Sequence, residues 1–209
     1  MASWAGMKFL RSFLKSPQSV GGIFPSSQVL ARAIAAIVSR ELAQSDPASI
    51  IEVGPGTGAL TEALLPLKRP LVLLERNADF ARILSQRFAP QALVRCEDFL
   101  TSSIFSTGTR GAVLVSSLPI RSLPMSELYR ARFQELLLGG NISRLVQYSY
   151  GIRDPLLMSA DEIVARRERV VLWNFPPASI WSYQRRTGGE LIPKDPLGRP
   201  VRRFFAKLH

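Results

Sequence analysis

The amino-acid sequence predicts an α/β domain, a mostly parallel sheet covered by helices on both faces. Three observations predict it. From about residue 49 to residue 150, short runs rich in Val, Ile and Leu alternate with stretches of helical apolar spacing, the pattern of strands buried on both sides. The first run, IIEV at 50–53, opens directly into GPGTG, as a strand does when it delivers backbone to a ligand. The 209 residues, 46% of them hydrophobic, can bury one sizeable core, and a single domain accounts for them.

Each element follows from its local pattern. Over 4–15, Trp4, Met7, Leu10, Phe13 and Leu14 recur at three- and four-residue spacing, while Lys8, Arg11, Ser12 and Lys15 gather opposite. This spells a short amphipathic helix with a cationic face, ended by Pro17. Residues 18–27 read as a loop, and a second helix is expected over 28–42 with Ser26 or Ser27 as N-cap. Strands are expected at 49–53, 71–74, 92–95, 112–115 and 142–150. Helices are expected at 57–65, 78–88 and 126–138, the last stopped by Gly139-Gly140. Beyond them, 169–174 and 179–184 flank Phe175-Pro-Pro-Ala and read as an antiparallel pair. Residues 186–209, rich in Gly, Pro and Arg, carry no periodicity. The expected organisation is a helix in 1–17, the α/β domain in 18–185 and a basic extension in 186–209.

Composition narrows the chemistry. A single cysteine, Cys96, excludes an internal disulfide and argues for a reducing compartment. A single histidine, His209, argues against His-based triads and zinc sites, and no metal is expected. The net charge of +11 is uneven: residues 1–45 carry +4, residues 46–140 only +1, and residues 141–209 carry +6. Basic ends around a near-neutral middle attract polyanions, either nucleic acid or an anionic bilayer. No apolar run is long enough to span a membrane. The basic residues of the first stretch are scattered through the apolar ones, so it does not read as a signal peptide.

Gly54, Gly56 and Gly58 depart from the dinucleotide pattern G-x-G-x-x-G, and Glu52 precedes them. A carboxylate there would repel a pyrophosphate but suits a cationic amino-acid group. E-x-G-x-G-x-G resembles the first motif of class I S-adenosylmethionine (SAM) methyltransferases. Glu75, ending LVLLE, could then accept both ribose hydroxyls. Asp98 could accept the adenine exocyclic amine, with Phe99 against the ring. Singly, Glu52 and Glu75 could be solvated loop acids; the series of three acids at successive strand ends favours the cofactor.

A closer resemblance is carried by FLRSFLKSPQSVGGIFPSSQVLARAIA, IIEVGPGTGALTEALL, VSSLPI, LVQYSYG and NFPPASIW, in that order over about residues 8–185. These blocks resemble the bacterial phospholipid N-methyltransferases, which methylate the amine of phosphatidylethanolamine towards phosphatidylcholine. The resemblance implies a class I methyltransferase, Rossmann-like fold with a seven-stranded, mostly parallel sheet. It implies SAM as donor and S-adenosylhomocysteine as product, and adds Phe24, Ser26, Arg76 and Ser116 to the cofactor site. Leu118, Pro119 and Tyr150 would meet the substrate, with Ser116 and Tyr150 beside the reacting atoms. Such an enzyme would be cytoplasmic and peripheral on the inner leaflet. Its partners would be a phospholipid and an anionic membrane surface, bound through Lys8, Arg11 and Lys15. Nucleic acid is not an expected partner, and the oligomeric state is open.

The GPGTGALT block also resembles ribosomal RNA adenine dimethyltransferases. That family has N-L-P-Y after the fourth strand, its Asn holding the adenine amine, where this chain has Ser116-Ser117-Leu118-Pro119-Ile120. Independently of family, a helix with an aromatic-rich and a cationic face can lie in a membrane interface or dock as a lid over a cofactor. Aromatic faces for a methylated cation are supplied late in the chain by Tyr148, Tyr150, Trp173, Trp181 and Tyr183. Tyr150 is favoured among them because it closes the fifth strand. Tyr148 and Tyr150 share a strand face, so each can equally be a core or edge aromatic.

Overall fold

The computed structural model describes residues 25–47, 49–106, 109–158, 161–172 and 177–186. Within them the chain forms α1 (Pro25–Ser45), β1 (Ile50–Val53), α2 (Ala59–Leu64), β2 (Leu71–Leu74), α3 (Ala78–Phe88), β3 (Leu93–Arg95), β4 (Ala112–Ser116), α4 (Ser126–Leu138), β5 (Ile142–Tyr150), β6 (Ile163–Val171) and β7 (Ala178–Arg185). The seven strands form one sheet in the order β3-β2-β1-β4-β5-β7-β6. The first five pair in parallel, and β7 pairs antiparallel with both β5 and β6. The chain moves outward through β2 and β3, then crosses to the other side of β1 for β4. The crevice between β1 and β4 is therefore the topological switch point where open α/β sheets hold their ligands.

Alternation along each strand divides the core. Ile50, Val113, Val115 and Val146 point to one face, covered by Ile34 and Val38 of α1, Leu64 of α2, and Leu84 and Phe88 of α3. Ile51, Val53, Leu114 and Leu145 point to the other, covered by Phe133 and Leu136 of α4. Two ion pairs fasten α1 to the sheet: Glu41 meets Arg144 of β5 at 2.6 Å and Arg40 meets Glu168 of β6 at 2.6 Å.

The expected α/β class, sheet and antiparallel pair are all present, with instructive differences at the edges. The first described helix covers Pro25–Ser45, so it includes residues on both sides of the expected 28–42. The helix expected at 57–65 begins at Ala59 because the glycine turn runs on to Gly58, and it ends in a 3-10 turn at Leu65–Leu67. β6 begins at Ile163, six residues before the expected strand, and stops at Val171. Its middle, ARRER, has no apolar alternation. It is an edge strand held by β7, and its one acid, Glu168, is satisfied by Arg40 and by the Ser182 hydroxyl at 2.6 Å. The amphipathic helix of 4–15, with Lys8, Arg11 and Lys15, and all of the extension 186–209 beyond Arg186 lie outside the described residues, as do Phe24 and Trp173.

Candidate active site

The ends of β1, β2 and β4 meet at one edge of the sheet. The Gly54 amide donates to the Leu74 carbonyl at 2.9 Å, and the Ser117 amide to the Val53 carbonyl at 2.9 Å, which stitches the glycine turn to its neighbours. The turn's glycines do different work. At Gly58, φ is +84° and a Cβ would lie 2.5 Å from the Phe88 ring, so this glycine lets α3 close against the turn. At Gly56, φ is +56° and a Cβ would meet nothing within 4 Å. That open side is where a ligand can approach bare backbone. At Gly54 a Cβ would strike the Leu118 side chain.

Three carboxylates surround this turn. Glu52 is fully buried, and its Oε2 accepts a 2.6 Å hydrogen bond from Thr61 Oγ1 of α2. Its other oxygen, Oε1, has no partner. Burial, reinforced by the charge of Glu75 and only partly offset by Thr61, pushes its pKa up to about 7. A buried acceptor left without a partner is costly, and an arriving cation or N–H group would remove that cost. Glu75, also buried, accepts from the Gly56 amide at 3.2 Å and the Asn77 amide at 2.9 Å, one on each oxygen. Each oxygen keeps a lone pair for a further donor. Asp98, one-third exposed, accepts from the Leu100 amide at 2.8 Å and faces Arg76 at 3.7 Å. Arg76 is itself mostly exposed, so its visible part is to orient Asp98. An orphaned acid, an open glycine and two further acids in chain order fit SAM: an ammonium, a diol and an exocyclic amine.

Phe99, expected beside the adenine, is core. It packs on Phe133 at 4.7 Å and edge-on to Phe105 at 5.8 Å, and what it secures is the loop carrying Asp98. Ser116 is corrected more sharply. β4 runs one residue longer than expected, so Ser116 is its last residue and is fully buried. The alternation that sends Leu114 to the α4 face sends Ser116 there too, away from Glu52; its Oγ accepts from the Leu118 amide at 3.3 Å. Ser117 follows on the opposite side, where it lies near enough to the Tyr148 phenol to favour its ionised form.

Tyr148 is the residue that sequence reasoning undervalued. Burial, with the nearby Tyr150 and Glu52, raises its pKa far above the usual phenol range despite Ser117, so it stays neutral. Its ring stands edge-on to Tyr150 at 6.1 Å, and Tyr150 at the strand end is 48% exposed. Gln147 was also missed. It is buried between β4 and β7, and its Nε2 donates to the Leu118 carbonyl at 3.0 Å, fixing the loop after β4. Leu118 is half-buried and Pro119 exposed, but Ile120 is buried in the core. Ser26 lies in the first turn of α1, its side chain outside the described set. Among the described residues no cluster of His, Cys, Asp and Glu could hold a metal, and no helix is long and apolar enough to cross a membrane.

Comparison with known proteins places this geometry. Residues 5–168 match the family described as ribosomal RNA adenine dimethylase. The ornithine lipid N-methyltransferase of Singulisphaera acidiphila is 29% identical over 184 residues, 83% of this chain and 92% of that protein. The ribosomal RNA small subunit methyltransferase A of a Synechococcus strain is 48% identical, but over 48 residues that make up 23% of this chain and 17% of that one. Among solved structures, the 23S rRNA methyltransferase ErmE matches with a TM-score of 0.54 at 18% identity, over 75% of this chain and 68% of that one. The magnesium protoporphyrin IX methyltransferase of Synechocystis, solved with bound SAM, matches at 0.58 and 15% identity, over 86% of this chain and 96% of that one.

Proposed function

The chain belongs to the ribosomal RNA adenine dimethylase family and is a SAM-dependent methyltransferase; from that premise we propose that its acceptor is the primary amine of a membrane lipid, with phosphatidylethanolamine the first candidate. One observation carries this choice. The loop after β4 presents a serine at 117 and sends Ile120 into the core, so it offers neither an amide to hold an adenine amine nor a ring to stack on a purine. A pair of tyrosines stands there instead. The match along nearly the whole length of a lipid methyltransferase supports the same reading.

SAM supplies an activated methyl group, so the protein's share is positioning and desolvation. Glu52 Oε1 is assigned the ammonium of the donor's amino-acid end, Glu75 the ribose hydroxyls and Asp98 the adenine amine. Gly56 lets the donor lie against backbone, while Gly54 makes room for Leu118. Only an unprotonated amine has a lone pair to offer, and free alkylammonium groups titrate near ~10.4. Ser117, Leu118 and the tyrosine rings provide an environment that disfavours the charged form and so lowers that value. Tyr148, held neutral, can hydrogen-bond the nitrogen but not deprotonate it, so the proton leaves to solvent along the exposed side of Tyr150. Aromatic faces then hold the cation that successive methylation produces.

The second reading, adenine N6 methylation of RNA, is favoured by the family match itself. Incubation with labelled SAM and either vesicles containing phosphatidylethanolamine or total RNA separates the two. Label in a lipid band on thin-layer chromatography is expected; label in RNA alone would refute the lipid reading.

A further inference from the structure

Large apolar side chains stand exposed around the cofactor end of the sheet. Tyr150 closes β5, and Ile152, just beyond it, is 65% exposed; Leu172, one residue past β6, is 72% exposed. Tyr150 pairs with Ala178 and Ala178 with Val171, so β5 and β6 finish level. Met125 and Leu128 are exposed where α4 begins, whereas the exposed Leu157 lies farther along the loop, past Asp154, which bonds Tyr183 well below the rim. Arg130 of α4 donates to the Pro155 carbonyl at 3.5 Å, which brings that helix start beside the loop. Ile83 on α3 and Leu93 at the start of β3 lie elsewhere, and isolated cases of that kind need no explanation. A group gathered at one end does.

The loop is held, so these side chains are kept outward by a fixed backbone. The Gly151 amide donates to the Pro177 carbonyl at 3.2 Å, and Ser179 Oγ to the Gly151 carbonyl at 2.6 Å. Arg167 donates to the Ile152 carbonyl at 3.5 Å, and the Tyr183 phenol to Asp154 at 2.5 Å. Height matters as well. Gln147 lies level with Ser116, the last residue of β4. The three residues from Gln147 to Tyr150 therefore carry the rim about 10 Å beyond the strand ends. That is close to the depth of the headgroup layer into which an interfacial protein sinks.

The charges suit the same partner. Arg121, Arg153 and Arg169 are exposed around this end. The nearby carboxylates are engaged: Asp154 by Tyr183, Glu168 by Arg40 and Ser182, and Glu127 by Arg130. We propose that this rim seats on an anionic phospholipid bilayer, inserting Ile152 and Leu172 at the headgroup–acyl boundary with Arg121, Arg153 and Arg169 on lipid phosphates. Its purpose rests on the lipid-amine reading of the active site, since a rim of this height would set the ends of β1 and β4 at the level of the headgroup nitrogen.

The test uses the full chain and vesicles of phosphatidylethanolamine with phosphatidylglycerol, or of phosphatidylcholine alone. The double variant Ile152→Ser/Leu172→Ser should bind the anionic vesicles about tenfold more weakly than the wild type, or worse. It should methylate a short-chain, fully dissolved phosphatidylethanolamine at the wild-type rate. As a gain-of-signal check on a single exposed position, Ile152→Trp should show a blue-shifted difference emission against wild type when the anionic vesicles are added. Unchanged vesicle binding by the double variant, or no shift from Ile152→Trp, would overturn the proposal. So would a polyanion surface that reads charge alone, in which Arg153→Glu/Arg169→Glu abolishes RNA binding while the double serine variant binds vesicles normally. Loss of vesicle binding by the double serine variant, with no lipid methylation by wild type in either form, would leave the rim standing and remove the lipid-amine reading.

Discussion

Gly56 and Gly58 sit two residues apart in one turn, both with positive φ, yet alanine should do different harm at each. At Gly58 the left-handed backbone costs a residue with a Cβ about 1–2 kcal/mol. The new Cβ would also lie 2.5 Å from Phe88 Cε2, 2.8 Å from its Cζ and 3.1 Å from Leu84 Cδ2. Phe88 and Leu84 are buried in the core beneath α1 to α3, so neither can swing away, and overpacking adds about 1–3 kcal/mol. Gly58→Ala should therefore lose about 2–5 kcal/mol, a large part of the roughly 5–15 kcal/mol that holds a domain of this kind together. Gly56→Ala meets no neighbour, so its stability cost stops at the backbone penalty of about 1–2 kcal/mol. Its Cβ instead fills the approach assigned to the donor, and SAM affinity should fall at least about tenfold, roughly 1.4 kcal/mol. Urea unfolding followed by circular dichroism measures the first effect, and calorimetric titration with S-adenosylhomocysteine the second. Equal stability losses in the two variants, or undiminished ligand affinity in Gly56→Ala, would refute the division of labour within the turn.

The pKa of Glu52, raised in the fold from 4.5 to about 7, makes its contribution to stability complete below 4.5 and lost as pH rises through about 7. Glu52→Gln should remove that dependence in unfolding curves. Because the ionised form is the one that attracts an ammonium, donor affinity in the wild type should rise with pH through the same region and stay flat in the variant. Alanine at Glu75 or Asp98 should weaken SAM by about 1.5–3 kcal/mol if each supplies a charged acceptor, as calorimetry would show. Tyr150→Ala should cut lipid methylation strongly with donor affinity nearly intact; equal losses in both would make Tyr150 part of the cofactor site. Arg144→Ala would leave the buried Glu41 carboxylate with only the Ser45 hydroxyl and should cost about 3 kcal/mol in urea unfolding, since removing one partner of a buried pair leaves its charge uncompensated. Lys8, Arg11 and Lys15 changed together to Glu should weaken binding to anionic vesicles by about 3 kcal/mol or more, measured by flotation.

The sequence by itself determined the fold class and the donor, SAM, and it supplied the residues proposed to hold that donor. Both are written in local patterns: buried runs alternating with helical spacing, a glycine turn directly after a strand, and an acid at each of three strand ends. These signals involve residues a few positions apart, so no tertiary knowledge is needed to read them. The residues proposed for the acceptor half could be placed only in three dimensions. Side chains alternate along a strand, so the one extra residue of β4 decides that Ser116 turns to the α4 face and Ser117 towards Tyr148. Phe99 is a core ring because Phe133, thirty-four positions later in the chain, packs on it. β6 was legible only in part because its arginine-rich middle depends on pairing with β7 and on Arg40, far away in α1, to satisfy Glu168. Gly58 is needed for a reason its motif does not state, the closeness of Phe88. In each case the deciding contact joins residues distant in sequence, and its strength depends on distance and burial, which spacing along the chain does not contain.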